Sequence, residues 1–90
     1  MLKITELRQP TGAAALVLEG RLVGPWVEEL QRVAGGLEGR GASLDLSRLD
    51  FADRRGLALL LRLRQRGVAV EGASDFVNAL LAGGDDGHGG

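Results

Sequence analysis

The sequence predicts an α/β fold: a single domain with a mixed β-sheet and packed helices, in the order β-β-α-β-α-β-α. Three observations carry that reading. Apolar runs of strand length alternate with segments in which leucines and valines recur at helical spacing. Gln9-Pro10-Thr11-Gly12 joins the first two strand-like segments as a turn, which makes them an antiparallel hairpin. Each later strand is separated from the one before it by a helix, and such strands pair in parallel through right-handed crossovers.

The elements follow in order. Leu2, Ile4 and, less cleanly, Leu7 give the first segment the pattern of a strand. Ala13 to Glu19 (AAALVLE) is a continuous apolar run that ends at Gly20. Gly24-Pro25 opens the first helix, because proline at the first helical position sacrifices no hydrogen bond. Val27, Leu30, Val33 or Ala34, and Leu37 then repeat at helical spacing, with Trp26 at one end. Glu28 and Arg32 stand at i,i+4 in the favourable orientation for an ion pair. GGLEGRG, residues 35 to 41, ends that helix and connects it onward.

Ala42 to Leu46 (ASLDL) is a short strand with Ala42, Leu44 and Leu46 on one side, followed by a polar link from Ser47 to Asp50 that contains Leu49. The stretch FADRRGLALLLRLRQRG then starts a leucine-rich helix running to Arg66 and stopped by Gly67. Val68 to Val70 is a last short strand, punctuated by Gly72. Ser74 caps a final helix from Asp75 to Ala82, with Phe76, Val77, Leu80 and Leu81 as its apolar face. The domain is thus residues 1–82. The tail GGDDGHGG, residues 83–90, lacks periodicity and is expected to be disordered.

Composition narrows the function. Ten arginines and one lysine against twelve acids leave a net charge of −1, which argues against a nucleic-acid binder of the electrostatic kind. The apolar runs, Leu57 to Leu61 among them, are far too short to span a bilayer, and the N-terminus lacks the apolar region of a secretory signal. A cytoplasmic protein without direct membrane insertion is expected. With no cysteine there is neither a disulfide framework nor a Cys-based zinc site.

Catalysis is not expected. Ser43, Ser47 and Ser74 have no evident base beside them, and Asp45 and Asp50 read as local turn and cap acceptors. His88, with Asp85 and Asp86, lies in the glycine tail, where no rigid metal geometry can form. No metal or cofactor is implied. GGLEGRG follows a helix and lacks the Gly-Lys-Ser/Thr of a phosphate loop, and LVLEGRLVG lacks the spacing of a dinucleotide motif.

One feature opposes simple helix chemistry. Arg54 and Arg55 occupy the first turn of the leucine-rich helix, where cations oppose the helix dipole by ~0.3–1 kcal/mol each. Asp53 before them is an N-cap worth about 1 kcal/mol. On a helical wheel Gly56, Leu57, Leu59, Leu60, Leu61 and Leu63 share one broad arc, while Arg55, Arg62 and Arg66 fall opposite, with Arg54 and Gln65 on a flank. An exposed arginine face suits protein interfaces, because the guanidinium pairs bidentately with carboxylates.

The ordered set LVLEGRL, a helix, SLDLSRLDFADRRGLALLLRL and VAVEGAS resembles the STAS domain. That family includes bacterial anti-sigma-factor antagonists, the cytoplasmic tails of sulfate transporters, and a small subunit of lipid-transporting ABC systems. The resemblance covers about residues 14 to 81. In the antagonist branch the matching motif is Asp-Ser-Ser-Gly or Asp-Ser-Thr-Gly, whose first hydroxyl accepts phosphate from a kinase that is also the anti-sigma factor. By that match Asp53 and Gly56 keep their places, while Arg54 stands at a degenerate phosphoacceptor position and Arg55 at the second hydroxyl. Arginine has no nucleophilic oxygen, so the hydroxyl phosphorylation of that motif is excluded at this position.

The resemblance implies a non-enzymatic regulator resembling an anti-sigma-factor antagonist, in a bacterial cytoplasm, that binds a protein partner through Asp53, Arg54, Arg55, Gly56 and Arg62. The partner would be an anti-sigma factor or kinase-like protein. The alternative is the STAS subunit of a lipid-transporting ABC system, which would bind and stabilise the ATPase subunit. An orphan nucleotide-binding STAS domain has no phosphate-binding signature to support it.

Overall fold

In the computed structural model, residues 1–36 and 41–87 are described, with residues 83–87 described by the course of the backbone alone. The chain folds back at Gly12, whose N–H donates to the Gln9 carbonyl at 2.9 Å and whose φ of 90° suits glycine. That turn sets β1 (Leu2–Arg8) antiparallel to β2 (Ala14–Leu22), with Leu2 opposite Gly20 and Arg8 opposite Ala14. α1 (Pro25–Gly35) carries the chain to β3 (Ser43–Ala52), and α2 (Arg54–Gln65) carries it to β4 (Ala69–Glu71). Both connections join neighbouring parallel strands, so the four-stranded sheet runs β1-β2-β3-β4. α3 (Asp75–Gly87) follows. The architecture is the mixed sheet with three helices expected from the sequence.

Two right-handed crossovers stepping the same way along a sheet put both helices on one face. Burial agrees. Leu16, Leu18 and Leu22 of β2 and Leu44, Leu46 and Leu49 of β3 are buried, whereas Ala15, Val17, Ser43 and Asp45, on the other face, are only half-buried. The core is closed by Val27 and Leu30 of α1, Leu59, Leu60 and Leu63 of α2, and Val77 and Leu81 of α3.

Several boundaries differ from the sequence reading. β2 does not stop at Gly20 but runs on to Leu22. Gly20 has φ 104°, and a Cβ there would lie 2.6 Å from the Met1 carbonyl oxygen, which accepts from the Arg21 N–H at 3.0 Å. Gly20 therefore lets the chain start pass close beside β2 rather than ending the strand.

The larger correction concerns Ser47 to Asp50, which is strand and not a link. The register against β2 slips twice, between Val17 and Glu19 and between Gly20 and Arg21. Each slip puts an extra residue in β3 and reverses its inside–outside phase. Buried positions therefore fall at Leu44 and Leu46, then Leu49, then Ala52, a spacing that simple alternation does not recognise. The first slip is held by Asp45, whose Oδ1 accepts from the Ser47 N–H at 2.9 Å.

The end of α2 follows expectation. Gly67, at φ 94°, donates to the Arg64 carbonyl and Val68 to that of Leu63, with Val68 and Leu63 both buried. β4 is Ala69–Glu71, one residue later than expected, since Val68 completes that cap. Ser74 Oγ accepts from the Val77 N–H at 3.2 Å, as a cap should. α3 continues past Ala82 to Gly87, because Gly83 and Gly84 lower helix propensity without removing a hydrogen-bond donor. Of the expected tail, residues 88–90 lie outside the described residues, as does most of the GGLEGRG connection, residues 37–40. Phe76 departs from the buried face of α3 and is 54% exposed, with its ring 6.2 Å from that of Phe51.

Candidate protein-interaction surface

α2 begins at the carboxyl end of β3, beside the turn that leaves β2. Asp53 joins these places. Its Oδ1 accepts from the Gly56 N–H at 2.8 Å, capping α2, and its Oδ2 accepts from the Gly24 N–H at 3.1 Å. Its own N–H donates to the Leu22 carbonyl at 3.1 Å. The N–H groups of Gly56 and Gly24 hold the Asp53 carboxyl below the ordinary carboxylate range; desolvation opposes them, and the Arg55 charge adds a smaller share. The Gly24 N–H precedes α1, which has no side-chain cap of its own.

Gly56 is buried against β2. A Cβ there would sit 2.7 Å from the Leu22 carbonyl oxygen and 2.9 Å from its Cγ. α2 can start this close to the sheet only with glycine at its third position. Asp53 and Gly56 thus form the frame of the site. Gly56 offers no side chain to a partner, and both Asp53 oxygens already accept hydrogen bonds within the chain.

The arginines lie outside that frame. Arg54, Arg55 and Arg62 are exposed, and no acidic residue lies on α2. Arg55 reaches across to Glu28 in the first turn of α1 at 3.8 Å, with both side chains largely exposed. Such a pair contributes ~0–1 kcal/mol, so it orients Arg55 more than it stabilises the fold. Glu28 therefore pairs with Arg55 and not with Arg32, which bonds Glu29 one position closer. The cause is tertiary: α1 and α2 both begin at the carboxyl edge of the sheet. Arg54 and Arg62 make no ion pair among the described residues.

Gly56, Leu59, Leu60 and Leu63 are the buried positions of α2. On a 3.6-residue wheel the opposite meridian passes through Arg54, Ala58, Leu61 and Gln65, with Arg55 and Arg62 displaced toward α1. Leu57 and Leu61 are only half-buried, although the sequence arc grouped them with the core leucines. The outer surface of α2 is thus a cationic border around Ala58 and Leu61.

Sequence reasoning missed three neighbours of this surface: Gly24, Glu28, and the aromatic stack. Arg21 lies 5.2 Å from the Phe51 ring centroid, and Phe51 stacks on Phe76. Phe51 lies in β3 three residues before Arg54 in the chain. Nothing in the spacing of Gly24 and Asp53, or of Phe51 and Phe76, announces these contacts. Asp45 is the turn acceptor expected of it, and its bonds from Ser47 hold its carboxyl below the ordinary range. No group of three or more His, Cys, Asp or Glu side chains that could hold a metal ion occurs among the described residues. No described helix is long and apolar enough to cross a membrane.

No family model and no curated relative matches the sequence. Solved structures do match the fold. The anti-sigma factor antagonist SpoIIAA in its unphosphorylated form has a TM-score of 0.70 at 16% identity, over 91% of this chain and 84% of that one. The STAS domain of an antisigma-factor antagonist from Rhodobacter sphaeroides gives 0.62 at 23% identity, over 83% of this chain and 94% of that one. A protein from Shewanella loihica with a SpoIIAA-like fold gives 0.55 at 20% identity, over 83% and 69%. The chain has a STAS-like fold.

Proposed function

We propose that this chain is a protein-binding regulator of the anti-sigma-factor-antagonist kind, working in a bacterial cytoplasm without catalysis of its own. The observation that carries the reading is the first turn of α2, where exposed Arg54 and Arg55 sit on a frame enforced by Asp53 and Gly56. Together with Arg62 they present guanidinium groups to an acidic surface of the partner, an anti-sigma factor or related kinase-like protein. The likeness to two antagonist structures supports this choice of partner class. With arginine at position 54, the chain has no hydroxyl to be phosphorylated there, so binding is constitutive or controlled elsewhere.

The test is affinity purification of the tagged chain from its native cells, beside the Arg54→Glu/Arg55→Glu variant. One partner is expected with the native chain and none with the variant, and the recovered protein should expose a carboxylate cluster. Equal recovery by both would remove α2 as the interface. Recovery of an ABC ATPase subunit would replace the regulatory reading with a transport one.

A further inference from the structure

On the sheet face opposite the buried leucines, the strand registers sort the side chains into rows, and beyond them Phe76 of α3 stacks on Phe51. Lys3, Glu19 and Arg48 lie side by side across β1, β2 and β3, with Arg48 3.6 Å from Glu19. Thr5, Val17, Asp45 and Glu71 make the next row, and Leu7, Ala15, Ser43 and Ala69 the third. None of the residues in these rows is buried, and Leu7 is 52% exposed.

We propose that this face is the contact between two copies of the chain, packed face to face about a two-fold axis parallel to the strands and lying between β2 and β3. Such an axis exchanges β2 with β3 and β1 with β4 while keeping the rows aligned. Glu19 then faces Arg48 of the second copy, and Arg48 faces its Glu19. Leu7 meets Ala69, Ala15 meets Ser43, and the Thr5 hydroxyl can donate to the Glu71 carboxylate. A two-fold contact is isologous, so each of these meetings occurs twice. The face complements itself in charge and in apolar character, which is the reason to assign it to a second copy.

The size of the face sets the strength. Four strands about 4.8 Å apart and three rows about 7 Å apart cover roughly 400 Å² per copy, near half of the ~800 Å² of a standard interface. The middle row is also imperfect, since it lays the Asp45 carboxylate over Val17. The dimer is therefore weak and concentration-dependent.

Sedimentation of the whole purified chain, from micromolar to millimolar concentration, tests this without any other partner. The native chain should shift reversibly from monomer to dimer. Glu19→Arg should weaken the dimer about tenfold through two like-charge meetings, equivalent to ~1.4 kcal/mol. Adding Arg48→Glu to Glu19→Arg should restore it to within about threefold of the native value. Asp45→Asn keeps an oxygen for the Ser47 N–H and should tighten the dimer, while Leu7→Lys should weaken it. A chain that stays monomeric at millimolar concentration overturns the proposal, as does a dimer indifferent to Glu19→Arg and Leu7→Lys.

Discussion

Asp53 accepts a 3.1 Å hydrogen bond from the N–H of Gly24, a residue 29 positions earlier in the chain. With its second oxygen on the Gly56 N–H, one carboxylate ties the start of α1 to the start of α2. Asp53→Ala should cost about 2 kcal/mol, combining a lost N-cap with a second lost bond to a charged acceptor. Asp53→Asn keeps the cap but turns an amide donor toward one of the two N–H groups, and should cost about 1 kcal/mol. Urea unfolding midpoints at neutral pH measure both.

The same carboxylate makes stability depend on acid. Its folded pKa is depressed by Gly56 and Gly24, and that of Asp45 by Ser47. A depressed carboxylate contributes stability that is fully present above its unfolded value, about 3.8, and is lost as pH falls through the folded value. Thermal melts should therefore show little change from pH 7 to 5 and a decline below pH ~4. In Asp53→Asn the slope of that decline should be shallower. An equally steep decline would place the acid sensitivity on other carboxylates.

Gly56 and Leu22 should show that close packing outweighs helix propensity. Alanine is favoured over glycine inside a helix by about 1 kcal/mol. At position 56 its methyl would overlap the Leu22 carbonyl oxygen at 2.7 Å, which belongs to strand backbone and cannot rotate away. Gly56→Ala should lower stability by about 1–3 kcal/mol in urea unfolding. A neutral or stabilising result would mean that α2 can shift away from β2.

Arg54 and Arg55 should be dispensable for folding. Both are exposed, and in the first turn they oppose the helix dipole. Arg54→Glu should leave stability unchanged or raise it by about 0.3–1 kcal/mol. Glu28→Ala, which removes the counter-charge of Arg55, should cost less than about 1 kcal/mol. If the charge-reversed variants melt at or above the native temperature, any partner they lose is lost through the surface and not through unfolding.

Much of the fold was legible in local sequence. The turn at Gly12, the Pro25 helix start, the Asp53 and Ser74 caps, and the Gly67 stop are short-range hydrogen-bonding devices, and their residue types declare them. The order of strands and helices followed from apolar spacing. The exposed arginines of α2 were also legible, since a helix with a leucine-rich arc must turn its charged positions outward.

What local pattern did not contain was any quantity set by distant neighbours. Ser47 to Asp50 is polar and breaks alternation, yet pairing with β2 and two register slips make it strand. Glu28 had a suitable partner four residues away and took one on another helix, because parallel crossovers bring the starts of α1 and α2 to the same sheet edge. The Gly24–Asp53 bond has the same origin, while the Phe51–Phe76 stack joins α3 to the end of β3. The sequence by itself determined the order of helices and strands and that Arg54 has no hydroxyl. Tertiary structure decided where those segments meet, because register and crossover geometry act between residues that share no local period.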